Sequence, residues 1–202
     1  MNSTLRASTA IFLVFGCFLA FALPAQALFD TGTALEKGKF ELDVCVNPFS
    51  SITYGQSWLF YHYGLGNKWE IHGYTSKWGA ITNWDNSIYE GYIGFLKQWG
   101  EWEYLDLATC LGVRKVVNMN TDPSLIGPGI LYTIKMGEGW RVAGHLQFIG
   151  DISTSGIRPL NNGYTAELGI YKMIRDGLEL AVGGFMNSTG ETRPIYTVNF
   201  YF

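Results

Sequence analysis

Charge is the scarcest ingredient of this sequence. Of 202 residues, 15% are Asp, Glu, Lys or Arg, well below the quarter usual in soluble domains. The formal net charge is -3. No basic surface is available for a phosphate backbone, which excludes nucleic acid as a partner. Cysteine is also rare, with 3 in the chain, too few for a disulfide-built scaffold. Beyond residue 27 no long apolar run remains, which excludes a further membrane-crossing helix. There is no phosphate loop, no metal-ligand cluster with sound spacing and no nucleophile elbow. No cofactor and no metal are therefore expected. Linkers, low-complexity segments and signs of a second domain are missing too.

What is present points one way. Hydrophobic residues make up 48% and aromatics 16%, with 25 glycines beside them. Glycine and aromatics together favour a β protein over a helical one. The N-terminus reads separately. Arg6 supplies a positive start, "AIFLVFGCFLAFAL" from Ala10 to Leu23 is an apolar run, and "AQA" from Ala25 to Ala27 is a small-x-small cleavage site. Residues 1–27 thus read as a secretory signal peptide, leaving 28–202 as one domain. The run is short for a membrane anchor and has no basic stop-transfer flank. A lipoprotein box at Cys17 is disfavoured by bulky Phe15 and by the apolar run continuing past the cysteine.

Alternating runs between glycine-containing turns mark ten strands: 38–47, 53–63, 68–77, 88–99, 102–114, 126–136, 140–149, 163–173, 178–186 and 194–202. The number falls to eight if two short runs, the first or the ninth foremost, are misread. Connections alternate in length. Short ones are "GLGN" at Gly64, "WGE" at Trp99, "GEG" at Gly137 and "IRDG" at Ile174. Long ones cover Lys77 to Ser87, Lys115 to Leu125 and Gly150 to Asn162, with shorter members at Pro48 to Ile52 and Asn187 to Arg193. Alternately tight and long hairpins describe an up-and-down antiparallel barrel with two unlike ends.

The faces support this. A tight turn at Gly137 to Gly139 sets Met136 against Trp140 and Ile134 against Val142, apolar on apolar. A turn at "WGE" sets Phe95 against Leu105 and Ile93 against Leu107. Three features favour apolar residues outside, in a membrane, over a soluble barrel with an apolar ligand site. The polar face has little lysine and much tyrosine, serine, threonine and glycine. Trp69, Trp99, Trp102 and Trp140 gather at the short-turn end, as an interfacial aromatic girdle would. Strands of about ten residues match the apolar band of a tilted membrane strand.

The chain ends on "YTVNFYF", with Tyr196, Val198, Phe200 and Phe202 on one face. In lipid the last strand must close on the first, here Phe40 to Val46. In signal peptide, even strand number, loop asymmetry, girdle and C-terminus the sequence resembles bacterial outer-membrane β-barrel proteins. That resemblance implies outer-membrane lipid, periplasmic chaperones and the barrel-assembly machinery as partners. It makes Tyr196, Val198, Phe200 and Phe202 the assembly signal, and places the protein in an outer membrane after cleavage near Ala27. Ten strands also resemble the omptin proteases, but those are much larger and this chain has little length to build their projecting catalytic strands. It lacks the His-x-Ser pairing of the lipid A deacylases, since His72 precedes Gly73-Tyr74 and His145 precedes Leu146-Gln147.

With the apolar face outside, Asp43, Glu70, His72, Glu90, Asp106, Arg114, Lys135, Arg141, His145 and Glu167 become lumen-lining candidates. Glu41 and Glu179 join them, with Tyr61, Tyr74, Tyr92, Tyr104, Tyr171 and Tyr201. Asp43, His72, Asp106, His145 and Glu167 fall at similar depth along their strands. They suit either a small cation-biased pore or a set of ion pairs filling a narrow barrel. A lumen or loop enzyme acting on lipid or peptide through a His–carboxylate site is the rival, and the balance leans against it. The four-residue turn "GLGN" pairs His62 with Trp69 on the lipid face. Cys45 and Cys110 fall on opposite sides of the barrel, too far apart for a disulfide. "NST" at Asn187 is a glycosylation sequon with no expected use. The expected function is small-solute passage, or a structural and surface-interaction role.

Overall fold

The structure, a computed structural model, describes residues 31–47, 56–78, 88–118, 121–153, 156–188 and 192–202. The expected signal peptide at 1–27 and the connection at 48–52 lie outside the described residues, as do most of the 77–87 connection and part of the sequon. The strands are β1 (Phe40–Asn47), β2 (Gln56–Gly66), β3 (Trp69–Trp78), β4 (Ile88–Glu101), β5 (Leu105–Val116), β6 (Ser124–Gly137), β7 (Trp140–Ser153), β8 (Gly156–Arg175), β9 (Leu178–Asn187) and β10 (Thr192–Tyr201). Each pairs antiparallel with its neighbour in sequence, and β10 closes on β1. All ten expected strands are present.

The closing seam is continuous. Leu42 faces Phe200, Val44 faces Val198 and Cys45 faces Thr197. Below them the Phe202 N–H donates to the Phe40 carbonyl at 2.8 Å and the Phe40 N–H to the Phe202 carbonyl at 3.1 Å. The two rings lie 6.3 Å apart. The terminal phenylalanine is thus tied by its backbone while its ring stays exposed.

Period-two alternation holds around the barrel with apolar side chains outward. On β4, Ile93 and Phe95 are exposed while Tyr92 and Leu96 are buried; on β5, Leu111 and Val113 are exposed while Ala108 and Cys110 are buried. Trp69, Trp99, Trp102 and Trp140 are all exposed at the short-turn end. Lys97 stands over the Trp69 ring at 5.1 Å and Lys172 over Trp140 at 4.9 Å.

Two hairpins turn on adjacent left-handed residues, Asn67 (φ 52) with Lys68 (φ 61), and Glu138 (φ 51) with Gly139 (φ 73). That conformation matches the twist of a two-residue hairpin. Both turns are tighter than expected, and each is preceded by a bulge, at Leu65 and at Met136. At Gly137 the register shifts past Met136, so Gly137 opposes Trp140, while Ile134 opposes Val142 as expected.

Three expectations are corrected. First, β4 does not turn at "WGE". It runs to Glu101, a bulge falls at Trp99, and the turn lies at 102–104. Phe95 therefore opposes Leu111 and Ile93 opposes Val113. The offset is even, so the faces are kept although the partners change. Tyr104 lies in this turn and is exposed rather than in the lumen. Second, much of Gly150 to Asn162 is strand: Asp151 pairs with Arg158 and Ile152 with Ile157, lengthening β7 and β8. Third, β2 presents the opposite face. Gly64 opposes Glu70 and Gly66 opposes Trp69, so Leu65 is the extra residue of a bulge. One added residue reverses every side chain before it. Trp58, Phe60 and His62 point inward, and Tyr61 points outward, its hydroxyl donating to the Tyr92 carbonyl at 3.1 Å.

The interior is filled. Trp58, Phe60, Tyr74, Tyr92, Ile126, Tyr171 and Ile195 form an apolar cluster inside the barrel. Leu96, Ala108, Cys110 and Leu131 form a second, with Ala34 packed on it. Among the described residues these side chains occupy much of the lumen.

Candidate functional site

Polar residues occupy the lumen between and below these clusters, toward the short-turn end. Residues 31–35, which precede β1, cross that end. The Gly32 N–H donates to Thr133 Oγ1 at 2.9 Å, and Thr33 Oγ1 donates to Asp106 Oδ2 at 2.7 Å. The Ala34 N–H donates to Gln98 Oε1 at 3.0 Å, and the Leu35 N–H to Glu70 Oε2 at 2.8 Å. One short segment thus binds β3, β4, β5 and β6, on the side of the barrel away from the β1–β10 seam. Gly32 is seated so closely that a Cβ there would meet the Asp106 carbonyl and Tyr132 Cα at 2.7 Å.

Around this bridge the lumen charges form separate networks. Asp106, with no solvent exposure, lies 2.8 Å from Lys135 Nζ. Arg141 grips Glu179 with two nitrogens, Nε to Oε1 at 2.9 Å and Nη2 to Oε2 at 2.5 Å, and its guanidinium covers Tyr171. Tyr201 and Asn199 also donate to Glu179, and Asn199 reaches Glu41. Nearer the long-loop end, Tyr74 donates a very short hydrogen bond to Glu90, which lies 3.8 Å from Arg114. Across β7 and β8, His145 opposes Glu167. His145 Nε2 lies 3.3 Å from Thr165 Oγ1, and its Nδ1 lies 3.8 Å from Glu167 Oε2.

The remaining network depends on the bulge in β2. His62 and His72 are directly opposite across β2 and β3. His62 Nδ1 lies 2.8 Å from Glu70 Oε1 and its Nε2 lies 3.3 Å from Asp43 Oδ2. His72 Nε2 lies 3.0 Å from the Tyr92 hydroxyl. Donor atoms of His62, Glu70 and His72 all fall within 4.8 Å of one another. Reading His62 as a lipid-facing residue hid this cluster. The visible part of the signal was Glu70-x-His72, a pair on one face of a strand.

All ten lumen candidates named from the sequence lie on inward positions. They do not form one constriction. Asp43, His72 and Glu70 come together through His62, and His145 joins Glu167. Asp106 stands apart with Lys135 and Thr33. Cys45 and Cys110 are buried free thiols, beside Thr197 and Gln147 respectively.

No protein-family model matches the chain, and no curated protein matches it. The closed antiparallel ten-stranded barrel is compatible with the outer-membrane class.

Such a lumen can hold charge. His145, Glu167 and Thr165 follow the order of a base, its orienting acid and a hydroxyl, yet each is at most 4% exposed. A general base must come within hydrogen-bond reach of a substrate proton. These three are covered by the wall and by their neighbours.

Proposed function

We propose that this protein, exported by its signal peptide, spans an outer membrane as a closed barrel with a structural and surface-interaction role. The observation that carries this is the distribution of side chains: apolar outside, charged and hydrogen-bonded inside. A water-soluble barrel would leave a continuous apolar belt in solvent, far beyond the few hundred Å² that monomers tolerate. In lipid the same belt is the ground state, and closure at the β1–β10 seam leaves no edge unpaired. The filled interior favours a scaffold over an open pore. The strand pairing that extends β7 and β8 toward the long-loop end provides a surface for contacts outside the membrane.

A second reading is a gated pore for small cations. It is favoured by residues 31–35, which hold the mouth largely through hydrogen bonds and lie against Asp106 and Glu70. Single-channel recording separates the two. Refolded protein is expected to be silent in a planar bilayer. Gly32→Val drives a side chain into backbone at Asp106 and Tyr132 and unseats the bridge. Steady cation-selective current from the variant would replace the scaffold reading with the gated pore. Silence from a folded, inserted variant supports the scaffold.

A further inference from the structure

We propose that His62, Glu70 and His72 form a binding site for a divalent transition-metal ion. The three are inward-facing neighbours on two adjacent strands, with Glu70 two residues before His72 and His62 directly across from it. All are buried, and their donor atoms lie within 4.8 Å of one another. Bonds of roughly 2.0–2.2 Å place the donors of a tetrahedral ion about 3.4 Å apart. Small side-chain rotations close that gap. Two imidazoles and one carboxylate suit Zn²⁺ and its neighbours, not Mg²⁺ or Ca²⁺, which prefer oxygen alone.

The surroundings carry the inference further than the three donors alone. Metal-binding residues are oriented by partners on their other polar atoms. Here each donor residue has one. With an ion on His62 Nδ1, the Nε2–H points to Asp43 Oδ2, now 3.3 Å away. With an ion on His72 Nδ1, the Nε2–H points to the Tyr92 hydroxyl at 3.0 Å. Glu70 keeps Oε1 toward the site while Oε2 takes the Leu35 N–H at 2.8 Å. Asp43 is 1% exposed and its Oδ1 has no hydrogen-bond partner. Two carboxylates gathered around one imidazole are expensive to bury, and a divalent ion offsets that charge. The ion would also fasten β2 to β3 beneath the segment that bridges the mouth.

The test uses the full mature chain refolded in detergent with Zn²⁺ present, since the site is enclosed. After desalting, bound zinc is measured by mass spectrometry, and Co²⁺ is substituted to read ligand geometry by visible absorption. About one zinc per folded chain is expected, with the strong visible bands of a four-coordinate cobalt site. His62→Gln and His72→Gln should each lower affinity at least 10-fold, and Asp43→Asn by roughly 10-fold or more through orientation of His62. His145→Gln, in the separate buried pair with Glu167, should bind like the parent. Folding of each variant is checked by its heat-dependent shift on a gel. Zinc well below one per folded parent chain overturns the site, as does a weak cobalt spectrum typical of six-coordinate geometry. So does unchanged retention in folded His62→Gln and His72→Gln. The parent measurements decide even if a variant fails to fold.

Discussion

Replacing Arg141 by Met probes the reasoning about the lumen most directly. The change keeps much of the side-chain volume but removes a guanidinium whose two nitrogens hold Glu179. The Arg141 side chain is 18% exposed and that of Glu179 2%, so solvent screens the pair little. Removing one partner of a buried ion pair costs roughly 3–5 kcal/mol, because the other charge stays buried alone. Glu179 would keep two neutral donors, Tyr201 at 2.8 Å and Asn199 at 3.2 Å. The loss should therefore sit at the lower end, about 3 kcal/mol, or roughly 100-fold in the folding equilibrium. Adding Glu179→Gln removes the stranded charge, and the double variant should recover about 2 kcal/mol of that loss. The assay is urea unfolding in lipid vesicles, followed by tryptophan fluorescence. Additive costs in the double variant, or a single-variant cost within about 0.5 kcal/mol of zero, would refute the claim that this pair is buried and mutually dependent.

Two further outcomes are expected. Ile93→Arg, at a position 57% exposed on the outer face, should cost about 2–4 kcal/mol if that face meets hydrocarbon near mid-membrane. A change within about 0.5 kcal/mol is what a water-facing position would give, and would sink the membrane reading. Deleting Phe202 removes both backbone hydrogen bonds to Phe40 and the ring beside it. The yield of folded, heat-modifiable barrel in the outer-membrane fraction should fall sharply, and an unchanged yield would mean that the seam closes without its last residue.

The strands were legible because this barrel writes one rule along most of its length, apolar out and polar in. Wherever a hairpin turned as expected, or slipped by an even number of residues, inward positions came out right, as at Asp106 and His145. Leu65 shows why the rest was hidden. A bulge leaves no mark in composition, yet it exchanged Tyr61 for His62 on the inner face and so concealed the histidine pair. The stretch "TGTAL" at 31–35 was silent for another reason. It has no periodicity, and its meaning lies in partners far along the chain, such as Thr133 for Gly32. The joining of 150–162 into longer strands was masked by proline and asparagine, which locally favour loops.

The bridge across the mouth also has a consequence in time. Gly32 meets Thr133, a separation of 101 residues, and β1 meets β10 with Glu41 against Tyr201. Contacts this distant in sequence close slowly. The segment that emerges early has nowhere to dock until β3 through β6 stand beside one another, so its docking reports that the middle of the sheet is finished. Residues 31–35 thereby act as a late latch, set by the assembly of strands synthesised after them.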